Sequence, residues 1–181
     1  MVDVKFAKVR PDAIIPSKRD EDMGFDIYAC FYEDYMVIDP HETKLIPTGI
    51  ASACDPGYGF ILFERGSTGS KGIARRCGVI DSGYRNEWFI GLTNTTNKRL
   101  YISKLNTEEL IEALVVDKDD PIDWKFADDE MINSIVYPYS KAIAQALVVP
   151  VPKTNVNEIS YDELKMIESE RGCGALGSSG K

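Results

Sequence analysis

A chain of 181 residues, 44% apolar and 28% charged, is expected to form one compact domain with a real core, and no run approaches the roughly 18 apolar residues of a membrane span. Its net charge of −8 is concentrated in residues 107–130, which hold ten acids against two bases, while the rest balances nineteen against nineteen; with no basic stripe, a nucleic-acid groove is excluded but a compact polyanion such as a triphosphate is not. Cys30, Cys54, Cys77 and Cys173 form no Cys-x-x-Cys pair and His41 is the single histidine, so no zinc site is expected, and free thiols suit a reducing cytoplasm.

In chain order, short β-forming runs are expected at 4–9, 25–31, 44–53, 58–63, 87–94, 99–103 and 142–151, separated by Pro, Gly and Asn-rich turns. Many short strands without alternating helices point to an all-β sandwich or barrel. Two helices carry capping boxes. Asn106 with Glu109 opens the first, with Leu110, Ile111, Leu114 and Val115 on one side. Ser160 with Glu163 opens a shorter one that carries Leu164 and Ile167 and ends at Gly172. Residues 171–181 are too glycine-rich to pack as a strand and form a flexible arm.

Chemistry-bearing residues recur between these elements. Asp26, in Met23-Gly-Phe-Asp-Ile-Tyr-Ala29, is an acid within an apolar run, a place where an acid is paired or near a cation. Arg65-Gly-Ser-Thr-Gly-Ser-Lys71 follows a strand and offers a guanidinium, hydroxyls, an ammonium and flexible N–H groups, the donor set of a phosphate site; as an isolated string it is more often a polar turn, and it lacks the Walker spacing. Gly78-Val-Ile-Asp81-Ser-Gly-Tyr84-Arg85 reads as a hairpin, with Asp81 either a turn cap or a positioned acid. The arm supplies Arg171 and further serines and glycines. His41, in a Pro-His-Glu-Thr turn, reads as a surface residue.

In order and spacing this set resembles the five motifs of the homotrimeric dUTPases. Met23 to Ala29 is similar to the first (Ala-Gly-x-Asp-Leu), Arg65-Gly-Ser-Thr68 to the second (Arg-Ser-Gly/Ser), Gly78 to Arg85 to the third, Ala142-Ile-Ala-Gln-Ala146 to the fourth, and residues 171–180 to the fifth. The likeness covers nearly all of the chain outside 104–139, an acidic insertion of the kind that gives the chain a phage-like look. The resemblance implies a distorted jelly-roll or β-barrel with a small helical insertion and a glycine-rich arm. It implies hydrolysis of dUTP to dUMP and pyrophosphate in a cytoplasmic enzyme, in the host cytoplasm if the source is viral, which controls dUTP and dTTP pools.

By that resemblance Asp81 is the general base that activates water for attack on the α-phosphorus. Tyr84 packs under the deoxyribose, and the backbone of Gly78, Val79 and Ile80, with the opposite strand near Phe89, pairs with uracil. Arg65, Gly66, Ser67, Gln145, Arg171, Gly177, Ser178 and Ser179 surround the phosphates, Leu176 covers the base, and Mg²⁺ bridges the phosphates with Asp26 reaching it through water. Subunits of a homotrimer share active sites, with each arm closing over a neighbour.

Three positions depart from the pattern. Gly66 stands where serine is usual, Ala142 where arginine is common, and Leu176 where phenylalanine usually covers the base. A dCTP deaminase shares the Ile-Asp-x-Gly hairpin, but the position of its catalytic glutamate is here Gly91. A nucleotide-sensing or partner-binding protein on the same fold, using the 104–139 insertion as its contact surface, is the alternative from a different class.

Overall fold

The computed structural model describes residues 2–76, 78–116, 129, 131–170 and 172. Twelve short strands form four small sheets, an all-β arrangement of the jelly-roll-like class whose sheets do not close into a ring among the described residues. β1 (Val4–Lys8) pairs antiparallel with β5 (Ile50–Cys54). A four-stranded sheet runs in the order β2 (Phe25–Ile27), β12 (Ala144–Pro150), β6 (Tyr58–Phe63), β8 (Val79–Ile80). β9 (Phe89–Asn94) lies between β4 (Thr43–Pro47) and β7 (Ile73–Arg76). The last sheet places β10 (Leu100–Ser103) between β3 (Tyr35–Ile38) and β11 (Ile135–Pro138), the latter parallel.

The core follows from alternation along β6, where Phe60 and Leu62 point inward and Ile61 and Phe63 outward. Phe60 meets Trp88 edge-on at 5.0 Å between centroids, and Phe6 meets Trp88 at 5.7 Å, so three aromatic side chains from three sheets or their connections fix the centre. Truncating one such ring costs about 3–5 kcal/mol.

The run expected as one strand at 44–53 is broken at Thr48-Gly49. Gly49 adopts φ +67°, and a Cβ there would stand 2.7 Å from the Ala13 Cβ and 2.9 Å from the Cys30 Sγ. The chain therefore turns and changes sheets, with β4 pairing β9 and β5 pairing β1.

Both expected capping boxes form. Asn106 Oδ1 accepts from the Glu109 N–H at 3.0 Å while Glu109 Oε2 accepts from the Asn106 N–H at 2.9 Å, starting α2 (Thr107–Val116). Ser160 and Glu163 make the same reciprocal pair at the start of α3 (Tyr161–Met166). An additional helical turn, α1 (Gly66–Gly69), replaces the expected polar turn after β6.

Within the expected 104–139 insertion, α2 does not float free. Leu110 is fully buried and forms a satellite core with Tyr101 and Met131, flanked by Tyr35, Val37 and Leu114. At its end β11 is a strand of a sheet, and Tyr137 belongs to the main core, its hydroxyl donating to the Ala142 carbonyl at 2.7 Å. The excursion therefore ends before Ile135. Residues 117–128 lie outside the described set.

Candidate active site

The candidate functional side chains gather in two places, joined by β6. The first is where β2, β12 and the end of β6 meet. Asp26 of β2 is the register partner of Gln145 on β12, and Gln145 is the register partner of Phe63 at the end of β6. Strand pairing thus delivers a carboxylate, an amide and the chain leading to Arg65 to one surface. Gly24 permits this, because a Cβ there would stand 3.1 Å from the Gln145 Oε1 and 3.2 Å from its Cβ. The glycine of the first motif has a packing cause.

Arg65 Nε donates to Asp26 Oδ1 at 3.0 Å and Nη2 to Oδ2 at 3.3 Å, a two-pronged pair with each side chain about one third exposed, at 31% and 33%. Gln145 Nε2 donates to the Glu64 carbonyl at 2.8 Å, which aims its amide oxygen away from that bond. Thr68 locks the α1 turn: its Oγ1 accepts from the Arg65 N–H at 3.1 Å and lies 3.0 Å from the Arg65 carbonyl. The first N–H groups of such a turn have no carbonyl within it to bond and stay available to an acceptor. Glu64 is held below the usual carboxylate range by its own backbone N–H and that of Arg75, the latter at 3.0 Å, which fixes the end of β6.

These groups open onto a cleft of about 730 Å³ lined by Arg65, Gly66, Ser67, Asp26, Gln145 and the segment from Ser17 to Gly24. Outside Met23 and Gly24 of the first motif, that segment gives no site signal in the sequence, where residues 17–22, Ser-Lys-Arg-Asp-Glu-Asp, read as a solvated charge run. It is ordered by internal pairing. Arg19 Nε and Nη2 each bond Asp22 at 2.9 Å, which pulls the Asp22 carboxyl down to about 2, and Lys18 Nζ donates to the Asp22 carbonyl at 2.8 Å.

The second place is the turn after β8. Tyr84 N–H donates to the Asp81 carbonyl at 3.1 Å, closing a four-residue β-turn as expected of Asp-x-Gly-x. The hairpin reading needs one correction, since the arm before the turn does not pair with the arm after it. Val79 and Ile80 pair with Ile61 and Phe60 of β6, and the Gly78 carbonyl accepts from Leu62 N–H at 2.7 Å, whereas Phe89 and Ile90 pair with β4. The chain peels from β9 after the Arg76–Gly91 register pair and joins β6. β8 is consequently an edge strand, with backbone groups on its far side unpaired among the described residues. Phe89 is 41% exposed and Asp81 is exposed, and among the described residues no hydrogen bond or ion pair engages the Asp81 carboxylate. Tyr84 is 38% exposed, its hydroxyl donating to the Glu87 carbonyl at 3.1 Å.

Asp26, Arg65, Gly66, Ser67 and Gln145 thus share one cleft, and Gly78, Val79, Ile80, Asp81, Tyr84 and Phe89 cluster around the turn and its edge strand. Arg171, Leu176, Gly177, Ser178 and Ser179 lie outside the described residues. Ala142 is buried and holds the Tyr137 hydroxyl through its carbonyl, so no cationic side chain reaches the cleft from that position. Gly91, in the middle of β9, offers no carboxylate for a deaminase.

A Mg²⁺-sized ion prefers oxygen ligands, keeps several waters and is carried by substrate phosphates with one or two carboxylates. The cleft suits that mode: Asp26, Asp22 and Glu21 line it, and among the described residues no group of three His, Cys, Asp or Glu side chains could cage a metal by itself.

The sequence model of the dUTPase family matches residues 10–107, from the N-terminal segment to the first residue of α2. The deoxyuridine 5′-triphosphate nucleotidohydrolase of Nautilia profundicola is 28% identical, the alignment covering 98% of this chain and 99% of that protein. Those of Orientia tsutsugamushi (strain Ikeda) and Paraburkholderia xenovorans (strain LB400) are 35% and 30% identical, over 59% and 87% of this chain and 71% and 82% of theirs. Among solved structures, the Staphylococcus bacteriophage 80alpha dUTPase with dUpNHpp matches with a TM-score of 0.70 over 99% of both chains, at 21% identity. The dUTPase from phage phi11 of S. aureus matches at 0.61 over 87% of this chain and 96% of that one, at 17% identity. These phage likenesses establish the fold.

Proposed function

This chain belongs to the dUTPase family, and as a dUTP diphosphatase it converts dUTP to dUMP and pyrophosphate; we propose that Asp81 performs the chemistry as general base while the Arg65 cluster grips the phosphates. The observation that carries this reading is the Asp81 carboxylate, unengaged among the described residues, on a hydrogen-bonded turn directly after an edge strand whose far rim is unpaired among them. An ionised, unpaired carboxylate can accept a proton from water, and the turn keeps it in place.

Uracil pairs with the open edge of Gly78 to Ile80 and the facing chain at Phe89, leaving no space for a methyl on the base. Tyr84, its hydroxyl tied to the Glu87 carbonyl, forms the floor under the deoxyribose and excludes a 2′-hydroxyl. Arg65, the α1 N–H groups, Ser67 and Gln145 take the phosphates, joined by Arg171, Gly177, Ser178 and Ser179 of the arm, while Leu176 covers the base. Arg65 then exchanges or shares its Asp26 bond with phosphate oxygens. The family uses a divalent metal ion, here Mg²⁺, which when bound neutralises phosphate charge; Asp26 holds its water shell. Asp81 takes the proton from the water that attacks the α-phosphorus, and pyrophosphate leaves.

The working unit is a homotrimer with shared sites. Every described residue from Pro150 to Glu170 is exposed, including Val156 at 89% and Met166 at 85%, although α3 is properly capped. A capped segment whose large apolar side chains are left about half or more exposed in its own subunit has that surface to bury on another. The outward side of the β2-β12-β6-β8 sheet, with Phe63 and Val79 exposed, is the complementary apolar face.

The test is purified protein with Mg²⁺ or Mn²⁺ and each deoxynucleoside triphosphate in turn. Pyrophosphate release from dUTP alone is expected; release from dCTP or dTTP at a similar rate would defeat the base-pairing account, and an inert protein would leave the sensing role.

A further inference from the structure

Two side chains that the reading above does not use hold the chain between the Asp81 turn and β9: Arg85, whose Nη1 donates to the Ser52, Ser82 and Tyr84 carbonyls, and Glu87, the more buried of the two. Glu87 accepts from Arg10 Nε at 2.9 Å and Nη2 at 3.3 Å, and from the Gly49 N–H at 2.8 Å. Both partners of the ion pair are largely withdrawn from water, at 25% and 16% exposure, and 77 positions separate them in sequence. The Glu87 carbonyl receives the Tyr84 hydroxyl at 3.1 Å. Trp88, the next residue, donates its N–H to the Ile50 carbonyl at 2.8 Å and accepts at its own carbonyl from Thr48 Oγ1 at 2.7 Å. Trp88 and Ile90 are therefore part of the core, while Gly83 to Asn86, just before Glu87, are exposed.

We propose that Arg10, acting through Glu87, is a positioning residue for the Asp81–Tyr84 turn. A bidentate Arg–carboxylate pair fixes direction as well as distance, and Lys cannot reproduce both prongs. Without Arg10 the largely buried Glu87 carboxylate keeps only the Gly49 N–H and turns toward water; the Glu87 carbonyl stays in the peptide that the Trp88 N–H holds on Ile50, so the movement falls on the chain before Glu87. Tyr84 and Asp81 lie on that side, so the ring under the sugar and the carboxylate at the other end of the same turn shift with it. Arg65 and Gln145, anchored on β2, β12 and β6, stay in place. The inference rests on the assignment of Asp81 as base and Tyr84 as sugar floor.

The experiment compares Arg10→Gln, Glu87→Gln, the double variant and Arg10→Lys in the full-length protein, with Asp81→Asn as reference and the core variant Ile38→Val as a stability control. Steady-state kinetics with dUTP and UTP are measured well below each melting midpoint, together with binding of Mg²⁺-pyrophosphate. In Arg10→Gln and Glu87→Gln, kcat for dUTP falls by about 10- to 10²-fold, the scale of a misplaced reacting group. The preference for dUTP over UTP narrows several-fold, pyrophosphate binding is unchanged, and the double variant is no worse than the poorer single one, as expected of residues acting as a unit. Arg10→Lys recovers part of kcat, and if Arg10→Gln does not fold, this charge-retaining variant carries the comparison. The proposal is overturned if Arg10→Gln and Arg10→Lys keep kcat and the dUTP/UTP ratio within about twofold of wild type while Asp81→Asn is inactive. It is also overturned if Ile38→Val loses the same discrimination, because general loosening would then suffice. Full activity in Asp81→Asn would instead remove the base assignment beneath it.

Discussion

Around Arg65 the polar side chains are already answered: Arg65 by Asp26, Gln145 by the Glu64 carbonyl, Thr68 by the Arg65 backbone, Arg19 by Asp22. At the Asp81 turn the reverse holds, since the carboxylate is exposed and, among the described residues, unengaged, while the backbone, Tyr84 and Arg85 around it are tied down. The difference fits the two tasks proposed for these places. A grip works by exchanging one set of charged partners for another, so its groups rest in pairs and the substrate must compete for them. A base must be ionised and free to accept a proton, so its support comes through the chain and not through the carboxylate. Preorganisation is thus spent on different atoms in the two halves.

The contrast is broken most strongly at the turn. Asp81→Asn keeps the turn and its size, so folding and dUTP affinity are expected to persist while kcat drops on the order of 10²-fold or more, measured by pyrophosphate release and by binding of a non-hydrolysable analogue. Turnover within a few-fold of wild type would mean that the free carboxylate is a bystander.

Removal of residues 171–181 tests whether the grip is complete within one subunit. On the proposed reading a folded trimer with little activity is expected, because it loses the Arg171, Ser178 and Ser179 assigned to holding the triphosphate in attack geometry. Mixing this truncated protein with Asp81→Asn after subunit exchange should restore activity, since mixed trimers pair an intact turn with an intact arm. Exchange confirmed by native mass, with no activity above the parents, would place each arm on its own chain.

Arg65→Gln removes the centre of the grip and leaves Asp26 unpaired. A loss of about 10- to 10²-fold in kcat/KM is expected, the equivalent of one charge-assisted bond of about 1.5–3 kcal/mol, with a larger share in KM than in Asp81→Asn. A pure kcat effect would blur the division between halves.

Leu110→Ala touches neither half. It opens the satellite core under α2 and is expected to lower stability by about 2–5 kcal/mol in denaturant titration with kcat unchanged. A drop in kcat at full folding would tie the acidic insertion to the site. The smallest change is Leu176→Phe: if residue 176 covers the base as proposed, an aromatic face there should tighten dUTP binding by about 0.5–1.5 kcal/mol by calorimetry.

The strings that carry the candidate site were more legible in the sequence than the frame that holds them. Asp26, Arg65, Gln145, Asp81 and Tyr84 stand in recognisable strings, and their gathering into two places follows from strand register. Capping at Asn106 and Ser160 was legible because both partners of each box lie within four residues. Hidden were features decided by distant pairing. Tyr35 to Ile38 is four residues long without alternation, Ile73-Ala-Arg-Arg76 looks like a charged turn until Arg76 Nε reaches Thr93 Oγ1 at 3.0 Å, and β11 exists only through its parallel partner β10. The choice of β6 over β9 as the partner of Val79 and Ile80 is likewise invisible locally, and so is the bond from Arg10 to Glu87.

The central claim, water attack on the α-phosphorus assisted by Asp81, is tested most directly by single-turnover hydrolysis of dUTP in ¹⁸O-water with mass analysis of both products. The account predicts one ¹⁸O in dUMP and none in pyrophosphate, with the labelled product all but lost in Asp81→Asn. Label in the pyrophosphate, or labelled dUMP forming at the wild-type rate in Asp81→Asn, would contradict it.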